Sequence, residues 1–122
     1  MELRSLFDRI TLNAALLIDA AACLAGASVL LLSKTVWDWF DLPADWRQPV
    51  IVALFGFSVF LVVAARYQQR ILIALAVLGN IAWVIAGTIA LFVTGTWLGG
   101  IIIALVILAD SVMAWMQARA LR

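Results

Sequence analysis

Four long apolar stretches, at residues 10–32, 49–65, 71–93 and 97–116, are separated by short breaks in which most of the polar residues gather. Crossing about 30 Å of hydrocarbon takes roughly 20 residues of helix at ~1.5 Å per residue, and each stretch comes close to or exceeds that length. Inside lipid the backbone must satisfy its own N–H and C=O groups, so the choice is helix or closed barrel. A barrel needs strands of alternating polarity, and no such alternation occurs here. The pattern therefore predicts four spanning helices. The second stretch is short, and its helix is expected to begin near Asp45, which can cap it, with Pro49 tolerated in the first turns.

The links are an N-terminal segment, a loop over 33–48, a tight turn over 66–70, a three-residue turn at Thr94-Gly95-Thr96 and a C-terminal tail. Short links make sequential helices antiparallel neighbours. The fold class that follows is an all-α, transmembrane four-helix bundle, one domain over residues 1–122.

Composition agrees with this reading. Of 122 residues 67% are hydrophobic and 12% charged, with mean hydropathy +1.16; soluble domains run near 45–50% and about 25%. A chain this small has no soluble core large enough to bury so much apolar side chain, so its solvent is the lipid bilayer. Eight Lys/Arg face seven Asp/Glu without a basic run, which argues against nucleic acid as a partner. Histidine is absent and Cys23 is the sole cysteine, so no metal site, haem or iron–sulfur cofactor is expected. No Ser-His or Cys-His pair and no glycine-rich phosphate loop is present, and an enzyme is not expected.

The N-terminal run has features of a leader, with Arg4 and Arg9 ahead of it and Ala25-Gly26-Ala27 resembling a cleavage site. Asp19 interrupts it and Leu30-Leu31-Leu32 continue it, so it is read as a retained span. Ala20-Ala21-Ala22-Cys23 approximates a lipoprotein box but lacks the bulky residue three places before the cysteine. Arg4, Arg9, Arg66, Arg70, Arg119 and Arg122 fall on one side of the predicted topology and Lys34 and Arg47 on the other. The positive-inside rule then puts both termini in the cytoplasm (N-in/C-in) and argues against dual topology. The opposite loop interleaves Trp37, Trp39, Phe40 and Trp46 with Asp38, Asp41 and Asp45. Trp prefers the membrane interface, so this segment is expected to lie over the bundle as a lid; an aromatic cage for a cation is the alternative.

Polar residues within the spans carry the functional information, since an ion in mid-bilayer costs at least ~2.5–3.5 kcal/mol on insertion scales. Counting helical rise, Asp19 and Asn80 lie about 14 Å from the cytoplasmic ends of their spans, Ser58 about 12 Å and Asp110 about 9 Å. One polar layer drawing on all four helices follows. Asp19 shares its face with Ala15, Ala22, Cys23 and Gly26, small residues of the kind that let membrane helices approach closely. Ala82 and Ala86, and Gly100 and Ala104, repeat that spacing in the third and fourth spans. Asp110 shares its face with Ile103, Val106, Met113, Ala114 and Gln117. Trp83 is deep enough to wall a pocket, with Asn80 one turn back as a partner for its indole N–H; Tyr67 and Trp115 fit an interfacial belt.

Three roles for the layer are open. It is polar glue, with Asp19 bonded to Asn80 or Ser58. It is a proton- or cation-coupled site, with Asp19 as the coupling acid, Asn80 and Ser58 orienting it and Asp110 as an inner relay. Or it is a contact with another protein.

Length and span number invite comparison with small multidrug transporters and fluoride channels, whose characteristic motifs are missing. The chain resembles instead the small, functionally unassigned four-span membrane proteins of bacteria, through Asp19-Ala20 with Gly26, Leu42-Pro43, Arg66, Asn80-Ile81-Ala82-Trp83, and Gln117 with Ala120-Leu121-Arg122. The resemblance implies a multi-pass protein of the bacterial inner membrane and supplies no activity. The expected function is a small proton- or cation-coupled transporter or ligand-binding bundle, with a small molecule or ion as ligand. The alternative is a non-catalytic accessory subunit of a larger membrane complex. With little interior volume in one chain, a pathway forms more easily between subunits, so a homo-oligomer is expected.

Overall fold

A computed structural model describes the backbone of residues 2–121 and the side chains of residues 9–121. Its helices are α1 (Glu2–Leu32), α2 (Lys34–Asp38), α3 (Arg47–Tyr67), α4 (Arg70–Val93) and α5 (Trp97–Arg119), with a 3-10 turn at Ala44–Trp46 ahead of α3. No strand occurs among the described residues. Four segments are long and apolar enough to cross a membrane: Arg9–Leu32, Ala44–Tyr67, Arg70–Val93 and Trp97–Arg119.

Local chemistry explains where the helices stop. Gln68 takes the left-handed conformation (φ 49°) after α3, and its N–H closes on the Ala64 carbonyl, the terminus that amide side chains tolerate best after glycine. Thr96 caps α5 by accepting from the Gly99 N–H at 3.0 Å, and Ser33 caps α2 by accepting from the Val36 N–H at 3.4 Å. Asp45 does not cap α3; it lies inside the 3-10 turn, and no side chain bonds the α3 N-terminus. Pro49 is the third residue of α3, where the missing N–H is one that the first helical turn leaves unpaired in any case. The fourth span runs three residues further than the hydropathy pattern predicts, to Arg119, which brings Gln117 inside the helix.

α1 packs along α3 and α4 along α5, and thinner contacts of α1 with α5 and α3 with α4 close the bundle. Leu12, Leu16, Ala20 and Cys23 of α1 form the core with Leu61, Ala64 and Ala65 of α3 and Ile73 and Ala76 of α4. The outer faces carry Val59, Leu78, Ile85, Leu105 and Leu108, all well exposed, a surface that suits lipid and not water. Arg47 donates to the Leu30 carbonyl from Nε at 3.1 Å and from Nη2 at 2.7 Å, and to the Leu31 carbonyl at 3.2 Å. It thereby satisfies carbonyls that the C-terminus of α1 leaves open.

Arg66, Arg70 and Arg119 lie at one end of the bundle, where Arg70 Nη2 donates to the Leu121 carbonyl; Lys34 and Arg47 lie at the α2 end. Arg4 and Arg122, two of the six same-side cations of the topology count, fall outside the described side chains. At the α2 end Trp37 is 4% exposed and packs against Phe40 at 6.4 Å between ring centroids. The Thr94 and Thr96 hydroxyls donate to the Phe40 and Trp39 carbonyls, pinning this segment to the α4–α5 turn. The loop is thus a packed lid, with Trp37 closed off rather than lining an open cage.

Candidate functional site

Asp19, Asn80 and Gln117 meet at the centre of the bundle, each from a different helix. Asp19 is 3% exposed, and Asn80 and Gln117 are fully buried. Two amides converge on one carboxylate oxygen: Asn80 Nδ2 donates to Asp19 Oδ2 at 2.8 Å and Gln117 Nε2 at 3.0 Å. Asn80 Nδ2 also donates to Gln117 Oε1 at 2.9 Å, closing a three-membered ring of contacts. A third acceptor, the Ala76 carbonyl, is at 3.3 Å; an NH2 group has two hydrogens, so this long contact is the weakest claim on them.

The remaining oxygens are poorly served. Asp19 Oδ1 receives only the Cys23 Sγ–H, at 3.9 Å. Asn80 Oδ1 is buried without a hydrogen-bond partner, an omission that costs about 1–3 kcal/mol in a protein interior. No Lys or Arg pairs with Asp19, and among the described residues no ion pair forms anywhere. The centre therefore holds one ionisable acid, two amides and one amide oxygen in need of a donor. Rotating the Asn80 amide by a half turn turns that oxygen toward Asp19, a geometry that a protonated carboxyl completes by donating its O–H.

Ser58 belongs to the same level but not to the ring. Its hydroxyl donates to the Ala20 carbonyl at 2.9 Å, bracing α3 against α1 one residue from Asp19. Asp110 stands outside the ring of hydrogen bonds. It is half-buried, makes no hydrogen bond, and sits two helical turns from Gln117 on the stripe Ile103–Asp110–Gln117, toward the α2 end. By residue count it is level with Asn80, since each lies fifteen residues from Gly95. Side chains lean toward their own helix N-terminus, however, and α4 and α5 are antiparallel. Asn80 and Gln117 therefore lean toward one another and bond at 2.9 Å.

Trp83 is half-buried and its indole makes no hydrogen bond, with Asn80 or otherwise. Of the predicted packing residues, Ala15 is buried and Gly26 half-buried, where a Cβ would meet Leu54 Cδ1 at 3.9 Å. Ala22, Ala82 and Ala86 lie on exposed faces. On α1 the buried small residues are Ala15 and Cys23 of the predicted face together with Ala20 and Ala27 beside it, and on α4 the buried small residue is Ala76. Gln117 is the site residue that depth counting misses; its signal was an uncharged polar residue on the face of Asp110, near the helix end, with a side chain long enough to reach inward.

Comparison of the chain with protein-family models, with characterised proteins and with solved structures finds no match.

Proposed function

We propose that this protein is a small proton- or cation-coupled membrane transporter whose coupling group is Asp19, with Asn80 and Gln117 as the residues that hold it in either charge state. One observation carries the reading: a carboxyl group withdrawn from water, with no cation beside it, is held by two amides while the neighbouring Asn80 Oδ1 lacks a donor. An asparagine at position 19 would make comparable interhelical bonds without an ionisable group in the membrane, so glue alone gives no reason for an acid there. The ring accepts the ionised form through two N–H donors and the neutral form through rotation of the Asn80 amide. Cycling between them moves one proton, or exchanges it for a cation. Asp110, on the same α5 stripe and nearer the α2 end, is the next titratable group along that helix and serves as the relay on that side.

The same reading puts the termini in the cytoplasm of a bacterial cell, from the charge asymmetry of the two ends, with a coupling acid inside each copy of a homo-oligomer. Maleimide labelling of single cysteines introduced at Asp41 and Gln69, on a Cys23→Ala background, checks the orientation: Asp41→Cys is expected to label from outside intact cells and Gln69→Cys only after lysis.

The functional test is proteoliposome flux. Vesicles carrying the wild type and a trapped pH-sensitive dye are expected to acidify under an inside-negative potassium diffusion potential or an opposing sodium gradient. Asp19→Asn is expected to abolish this while helicity and particle size persist. Equal flux in the two proteins, or no flux in the wild type under either gradient, overturns the proposal.

A further inference from the structure

A groove of about 340 Å³ runs between α1 and α3 near the Arg66 end, lined by Asn13, Leu17, Val62, Ala65 and Arg66. It is open on its outer side, where Leu17 is 42% and Val62 48% exposed, and Ala65 forms a buried floor. Three polar groups gather at one end of this apolar trough. Arg66 is exposed and forms no ion pair. Asn13 is half-buried and its amide makes no hydrogen bond. Arg9, one turn before Asn13 and therefore on the same face of α1, is also exposed and unpaired.

Among the described residues the other arginines are engaged: Arg47 and Arg70 cap carbonyls, and Arg119 stacks on Trp115 at 5.1 Å from the ring centroid. Among the described residues, the trough end is thus where two arginines and an amide are left to face the lipid boundary without protein partners. Polar groups so placed call for acceptors from outside the chain, and a phosphodiester provides several. An apolar trough continuing from that point toward mid-membrane provides for the hydrocarbon attached to it.

We propose that this groove is a binding site for one anionic phospholipid, its phosphate held by Arg9, Asn13 and Arg66 and an acyl chain lying along Leu17 and Val62. The arginine pair selects charge, since each basic residue at the membrane surface strengthens binding to anionic lipid several-fold. Asn13 selects position, because it lies about 6 Å deeper than Arg9 along α1 and reaches the glycerol-phosphate region rather than bulk water. The inference is independent of any flux through Asp19.

The test is native mass spectrometry of the full-length protein in detergent, titrated with phosphatidylglycerol or with phosphatidylcholine. Wild type is expected to retain one phosphatidylglycerol in preference to phosphatidylcholine, and Arg66→Gln to weaken that retention roughly fivefold. Asn13→Ala is expected to weaken it as well, while Arg119→Gln, outside the groove, leaves it unchanged. Equal retention of the two lipids by the wild type overturns the proposal, as does an Arg119→Gln effect as large as that of Arg66→Gln, which would mean diffuse attraction without a site. Competition by millimolar inorganic phosphate would reassign the polar end to a free anion and overturn the lipid assignment.

Discussion

Asp19 and Asn80 are predicted to be coupled energetically, with a magnitude that depends on the charge of the acid. The perturbation is a double-mutant cycle of Asp19→Leu and Asn80→Leu, the leucine being close in shape to both residues. Asn80→Leu alone removes the 2.8 Å bond to Asp19 Oδ2 and the 2.9 Å bond to Gln117 Oε1, but it also removes a buried oxygen that lacks a donor. That relief is about 1–3 kcal/mol, comparable to the loss, so the single variant has no reliable sign. The cycle cancels the relief because it occurs in both arms. What remains is the Asn80–Asp19 pair, about 1.5–3 kcal/mol if the acceptor is ionised and about 0.6 kcal/mol if it is a neutral interhelical bond in a membrane. Steric-trapping measurements of unfolding in bicelles give the four stabilities. A carboxylate is the better acceptor, so the size of the coupling tells an ionised acid from a neutral one. A coupling below about 0.5 kcal/mol, within the additivity expected of independent sites, would refute the pairing and with it the two-state ring.

Ser58 and Gly99 make simpler predictions. Ser58→Ala removes one hydroxyl-to-carbonyl bond, from Ser58 to Ala20, and is expected to cost about 0.6 kcal/mol in the same assay without changing flux, since it does not touch the acid. Gly99→Ala places a methyl group 2.9 Å from the Phe40 Cα and 2.7 Å from the Thr94 and Thr96 hydroxyl oxygens; it is expected to cost about 1–3 kcal/mol. Gly56→Ala, inside α3 with nothing within 4 Å of the added methyl, is the contrasting case and is expected to raise stability by up to about 1 kcal/mol.

The helices and the two short links were legible in the sequence because lipid imposes a length on each span and allows only helix within it. The meeting of Asp19 with Asn80 was legible for a related reason: residues at equal depth on neighbouring helices are brought level by the fixed rise per residue. Side-chain direction was not included in that count, and it is what lets Gln117, two turns beyond Asp110 on α5, reach Asn80 and Asp19. Helix rotation was legible only in part. Asp19 pointed the α1 face inward correctly, but α4 carries few polar residues between its ends, and the small pair Ala82 and Ala86 marked a face that the bundle leaves outside. The partner of Ser58 is a backbone carbonyl, a group that every residue carries and no sequence pattern distinguishes.

The pairing of α1 with α3 and of α4 with α5 divides the bundle into two leaves of a book, bound at one edge by the lid against the Thr94–Thr96 turn and at the other by the two-residue link between α3 and α4. Asp19 sits on one leaf, and Asn80 and Gln117 sit on the other. The bonds to this carboxyl therefore join the two leaves and lie outside the packing within each. In mechanical terms the acid is a clasp across the fold of the page, closed by two amide bonds from the facing leaf.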